Sequence, residues 1–156
     1  MAWTIPTART TGELITASIW NTDLKDNLLL LKTSIADDGR VNGEIRAYRE
    51  NVVSAGIVAG VVTIDVSAAA VYTVSVTAPI TTLSVIGWTA SKAATVTIRL
   101  TQDATGGRAV TLPSAWRWAG GIAPPITTTA NKTDILVLYS DDGGATIYPS
   151  LFTANA

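Results

Sequence analysis

The 156-residue sequence predicts a mainly β protein: an antiparallel, jelly-roll-like β-sandwich preceded by an extended N-terminal arm and one α-helix. Three observations carry that expectation. Charged residues make up only 15% of the chain, against about a quarter in ordinary soluble domains, and Thr, Ala and Val take their place. From residue 44 onward, short apolar–polar alternations follow one another, separated by turns rich in Gly, Pro and Asp. Ahead of them, a single stretch carries apolar residues at helical spacing.

Residues 1–15 read as an extended anchor arm. Pro6 favours extended geometry at Ile5, and Trp3 and Ile5 alternate as in a strand lying against something outside its own neighbourhood. Residues 16–43 read as the helix and a linker. Thr16 is placed to cap the first turn. Trp20, Leu24, Leu28, Leu31 and Ile35 share one helical face, and Asn21, Asp23, Lys25, Asp26 and Lys32 form the polar side. Leu29 and Leu30 widen the apolar stripe, so the helix packs on its own β-domain or on copies of itself. Gly39 and Gly43 end it within "DDGRVNGE".

Residues 44–156 read as the β-domain. "EIRAYRENVV" is ambiguous, with Ile45, Ala47 and Arg49 on one side and Arg46, Tyr48 and Glu50 on the other. "VVTIDV" turns Val62, Ile64 and Val66 to one face, and "VYTVSV" does so with Tyr72, Val74 and Val76. "TTLSVIGW" follows. "ATVTIRLTQ" is the clearest strand, with Val96, Ile98 and Leu100 inward and Thr95, Thr97, Arg99 and Thr101 outward. "RAVTL" is expected to pair back with it through a hairpin at Gly106 and Gly107. "DILVLYS" is apolar on both faces and reads as a central strand covered on both sides. "ATIYPSLF" closes the domain, with Pro149 marking a sheet edge or a break.

Composition excludes several chemistries. The net charge is −1 with no basic block, so neither nucleic acid nor an anionic membrane surface is an expected partner. The chain has no cysteine and no histidine. Disulfides, thiol chemistry, the usual general base and the usual zinc ligands are therefore missing. No signal peptide is expected at the N-terminus, and "SAGIVAGVVTIDV" is too short to span a bilayer. Asp37/Asp38 and Asp141/Asp142 precede glycines and read as turns, without calcium-loop spacing. No nucleophile, base and orienting group assemble, so no enzyme, cofactor or metal is expected. Trp116 and Trp118 share one parity with Arg117 opposite. They either cap the open end of the sandwich or form a glycan contact, and packing is the favoured reading.

Two runs carry a resemblance. "MAWTIPTARTTGELITASIWNTDLKDNLLLLK" resembles the start of many small bacteriophage virion proteins through Trp3, Thr4, Pro6, Gly12, Glu13, Thr16, Ala17, Asn21, Thr22, Asp26, Asn27 and Leu28. "LTQDATGGRAVTLPSAWRWAGGIAPPITTTANKTDILVLYSDDGGATIY" is similar to β-domains of phage tail-fibre and head-fibre proteins. The resemblance implies a structural virion protein, most often a homotrimer, made in the host cytoplasm and carried in the virion. The expected form is a short fibre, spike or decoration protein attached to the capsid, neck or tail. Trp3, Ile5 and Pro6 are expected to dock on another virion protein. Trp20, Leu24, Leu28, Leu31 and Ile35 are expected to form the seam between subunits. The alternative is a host-glycan-binding module acting through Trp116, Arg117 and Trp118.

Overall fold

The computed structural model describes residues 14, 16–20 and 49–156. The chain divides into two compact units, Met1–Tyr48 and Arg49–Ala156. In the first, one helical turn, α1 (Ala17–Trp20), is described. The Trp20 amide donates to the Thr16 carbonyl at 3.0 Å, so Thr16 stands where an N-cap residue stands. Trp3, Ile5 and Pro6 of the expected anchor arm, and Leu24, Leu28, Leu31 and Ile35 of the expected helix, lie outside the described residues.

The second unit is built of β-strands: β1 (Val52–Ser54), β2 (Val61–Asp65), β3 (Val71–Val76), β4 (Thr82–Ile86), β5 (Ala94–Gln102), β6 (Thr133–Ser140) and β7 (Tyr148–Thr153). β1, β3, β5, β6 and β7 form a five-stranded sheet in that order, while β2 and β4 form a two-stranded sheet. Alternation seals one face of each. Val62 and Ile64 of β2, Tyr72, Val74 and Val76 of β3, Leu83 of β4, Val96, Ile98 and Leu100 of β5, and Leu136 and Leu138 of β6 are buried in one cluster with Ile80 and Trp116. Both sheets thus contribute to a single core. Each fully buried aliphatic side chain contributes about 1.5–3 kcal/mol.

The strand directions depart from the antiparallel, jelly-roll-like expectation. β1 pairs with β3, β3 with β5, and β2 with β4, all in parallel. From β1 to β5 the chain passes to the other sheet after every strand, so Val52 lies beside Val71 and Val71 beside Thr97. The chain winds as a coil of parallel rungs, and a parallel bridge from Ile80 to Val110 continues it past β5. Parallel neighbours need a long connection between them, and here the intervening strand in the opposite sheet is that connection. The expected antiparallel order holds only where β6 pairs with β5 and β7 with β6. Period-two alternation reports which face is buried, and it is the same for both directions.

Two further expectations are revised. "RAVTL" does not pair back with β5, whose neighbours are β3 and β6. β6 is internal to its sheet, but its outward Tyr139 is 41% exposed, so the strand is not covered on both faces. Pro149 lies on the edge strand β7, opposite Leu138.

Candidate functional site

The stretch from Thr101 to Gly121 links the two sheets and carries the aromatic loop. It begins at Gln102, which is 3% exposed at the end of β5. A buried amide must find partners or cost stability. Gln102 Nε2 donates to the Arg108 carbonyl at 2.8 Å and to the Thr127 carbonyl at 2.9 Å, and its Oε1 accepts from the Arg108 amide at 3.1 Å. Asp103 closes the loop itself, accepting from the Thr105 and Gly106 amides at 3.0 and 2.7 Å. The Arg108 guanidinium lies 3.2 Å from the same carboxylate. Together, the Gly106 amide first, then Arg108 and the Thr105 amide, outweigh desolvation and hold the Asp103 carboxyl below its ordinary value.

Gly106 has φ +67°, and a Cβ there would lie 2.6 Å from the Ala130 nitrogen. Only glycine fits both that backbone region and that approach. The Gly107 amide donates to the Thr128 carbonyl at 2.7 Å. This loop is a junction rather than a hairpin. It is tied to residues 127–130 and delivers Val110 beside Ile80.

The chain then reaches the tryptophans. Trp116 is 7% exposed and belongs to the core; Trp118 is half-buried against it, with ring centroids 6.1 Å apart and planes tilted by 46°. Arg117 between them is exposed, and its backbone amide donates to the Ile147 carbonyl at 2.9 Å. Trp116 fills the core, and Trp118 and Arg117 retain solvent access. The indole N–H groups of Trp118 and Trp88 are enclosed without an acceptor among the described residues.

The β6–β7 turn lies alongside the Trp88 ring. Asp142 accepts from the Thr146 amide at 2.8 Å and from the Ser140 hydroxyl at 2.9 Å. The Gly144 amide donates to the Ser140 hydroxyl at 2.9 Å. The Thr146 amide is the main reason that the Asp142 carboxyl sits below its ordinary value. Gly143 and Gly144 have φ +74° and +84°, and a Cβ at Gly144 would strike the Trp88 ring. The turn reading of Asp141 and Asp142 matches this geometry. Asp37 and Asp38 lie outside the described residues.

Sequence reasoning passed over Gln102 and Asp134. Asp134, 1% exposed in β6, accepts from the Thr127 amide and from the Asn155 amide, the latter at 2.8 Å. It pins a loop and the C-terminal segment to the sheet. The signal was available, as polar residues at inward positions of alternating strands. A shallow groove of about 270 Å³ runs between β4 and residues 111–113, lined by Thr81, Thr82, Leu83, Ser84, Leu112 and Pro113 among others. No ionisable side chain lines it. Among the described residues, no group of three or more His, Cys, Asp or Glu is placed to hold a metal, and no helix is long and apolar enough to cross a membrane.

These features define a β-rich structural protein, with polar side chains spent on tying loops and apolar ones on the core. Residues 61–144 match the family described as "Putative phage tail fibre C-terminal domain". The match covers more than half of the chain, which therefore belongs to that family of phage tail-fibre-type proteins, components of the virion. No curated protein and no solved structure matches it.

Proposed function

We propose that this chain is a short oligomeric fibre, spike or decoration protein of the virion, trimeric, attached by its N-terminus to the capsid, neck or tail. The observation that carries the reading is the match of residues 61–144 to a tail-fibre domain, joined to a β-unit whose polar side chains serve structure. The protein acts by assembly rather than catalysis. Residues 1–15 form the anchor arm, with Trp3, Ile5 and Pro6 docking on another virion protein through apolar contacts and strand-like hydrogen bonds. Residues 16–43 supply a helical seam through Trp20, Leu24, Leu28, Leu31 and Ile35, and residues 44–156 project outward as a two-layered β-domain.

Two measurements test the reading. Light scattering on the full chain should give a multimeric mass, three times the chain mass for a trimer. Deleting residues 1–15 should leave that mass unchanged and abolish incorporation into particles. A monomeric full-length chain sinks the oligomeric part. Incorporation without the arm sinks the anchor. Host-glycan contact has a narrower footing, because Trp116 is packed in the core and only Arg117 and part of Trp118 face solvent.

A further inference from the structure

The outward face of the five-stranded sheet is almost uncharged and exposes aromatic side chains. Its register aligns Val52, Val71, Thr97, Val137 and Ser150 in one row across all five strands. A second row runs through Ser54, Thr73, Arg99 and Ile135, and a third through Thr95, Tyr139 and Tyr148. The Tyr139 and Tyr148 rings lie 6.5 Å apart, and Phe152, towards the other end of β7, is 74% exposed. Arg99 is the single charged side chain on this face. Solvated protein surfaces carry roughly a quarter to a third charged residues. Interface centres instead lose charge and gain Tyr, Phe and Arg.

We infer that this face is where copies of the chain meet, each covered by another copy of itself. The inference rests on the oligomeric reading above and names the surface that reading leaves open. Charge decides the occupant. An acidic partner finds only Arg99 to pair with, a basic partner finds no carboxylate, and the groove described above lies at β4 rather than on this face. A second copy brings the same uncharged Thr, Val, Ile and Tyr surface.

Area sets the strength. Five strands about 4.8 Å apart and about six residues long at ~3.3 Å per residue project roughly 480 Å². Each partner in a stable complex buries about 800 Å². The face alone therefore supports weak association, and durable assembly also draws on the seam proposed for residues 20–35.

The chain has no cysteine, so one introduced thiol reports on its own position. Full-length Thr97→Cys and Ser150→Cys are treated with a short bismaleimide, with Thr63→Cys, exposed on the two-stranded sheet, as the control. Crosslinked subunits should form several-fold faster at positions 97 and 150 than at 63. Tyr139→Lys, at an exposed position, should raise the concentration at which the chain assembles at least tenfold while leaving its circular dichroism unchanged. Thr82→Lys, exposed on the two-stranded sheet, should leave that concentration unchanged. A multimer that crosslinks at 63 but not at 97 or 150 overturns this face and leaves the oligomeric reading standing. A wild-type chain that stays monomeric at every concentration overturns both.

Discussion

Two glycine pairs, Gly106–Gly107 and Gly143–Gly144, share a local signature and do opposite things. Each follows a strand in the five-stranded sheet, and each pair has positive φ. At Gly143–Gly144 the chain returns to the same sheet, and Tyr148 lands beside Tyr139. At Gly106–Gly107 it crosses, and Val110 lands beside Ile80 on the opposite side of the core. The difference lies in what precedes the glycines. The Ser140 and Asp142 side chains bond within their own turn, accepting from Gly144 and Thr146. Gln102 and Gly106–Gly107 hold residues 127–130, a separate segment, which turns the chain away from β5. A glycine pair says that the chain turns. The surrounding polar contacts decide towards which sheet.

The largest effect is expected at Gly106→Ala. It combines left-handed strain with a Cβ forced against the backbone of residues 128 and 130, and should cost about 3–5 kcal/mol, read by denaturant unfolding. Native-state hydrogen exchange should show the Ile80 and Thr111 amides losing protection before those of β6 and β7. The opposite order would show that the Gly106 loop does not hold the Ile80–Val110 crossing. Next comes Gln102→Ala, which strands the Arg108 amide and carbonyl and the Thr127 carbonyl. A loss of about 2–3 kcal/mol follows from unpaired buried groups, and Gln102→Glu should not restore it, because a carboxylate cannot donate to the two carbonyls. Gly107→Ala sharpens the first result. Its added Cβ meets nothing within 4 Å, so only the strain of about 1–2 kcal/mol remains.

The smallest effect is acid sensitivity shared by both turns. Asp103 and Asp142 have carboxyl values depressed in the folded state, chiefly by the Gly106 and Thr146 amides. Their contribution is present above the unfolded value, about 3.9, and is lost as pH falls through the lower folded values. Carboxyl chemical shifts in an NMR titration should place both midpoints below that of an unstructured Asp. A midpoint at or above it would contradict the hydrogen bonds described for that turn.

Much of the β-unit was legible in the residues. Val62, Ile64, Tyr72, Val74, Val76, Val96, Ile98 and Leu100 are buried where alternation places them. Trp116 packs into the core with Trp118 beside it, and Pro149 sits on an edge strand. The site was less legible. Gln102 and Asp134 look like ordinary polar residues until their inward positions are combined with loops distant in sequence, at Thr127 and Asn155. The outward row from Val52 to Ser150 exists only once five separate strands are in register.

Alternation, turn residues and the scarcity of charge thus determined the β class, the inward faces and the places where the chain turns, because these depend on interactions between near neighbours and on burial alone. Which strands pair, in which direction, and on which side of the core was decided by the tertiary structure. A strand's buried face is indifferent to the direction of its neighbour. Pairing depends on long-range contacts, such as the grip of Gln102 on Thr127, that no local window of the sequence contains.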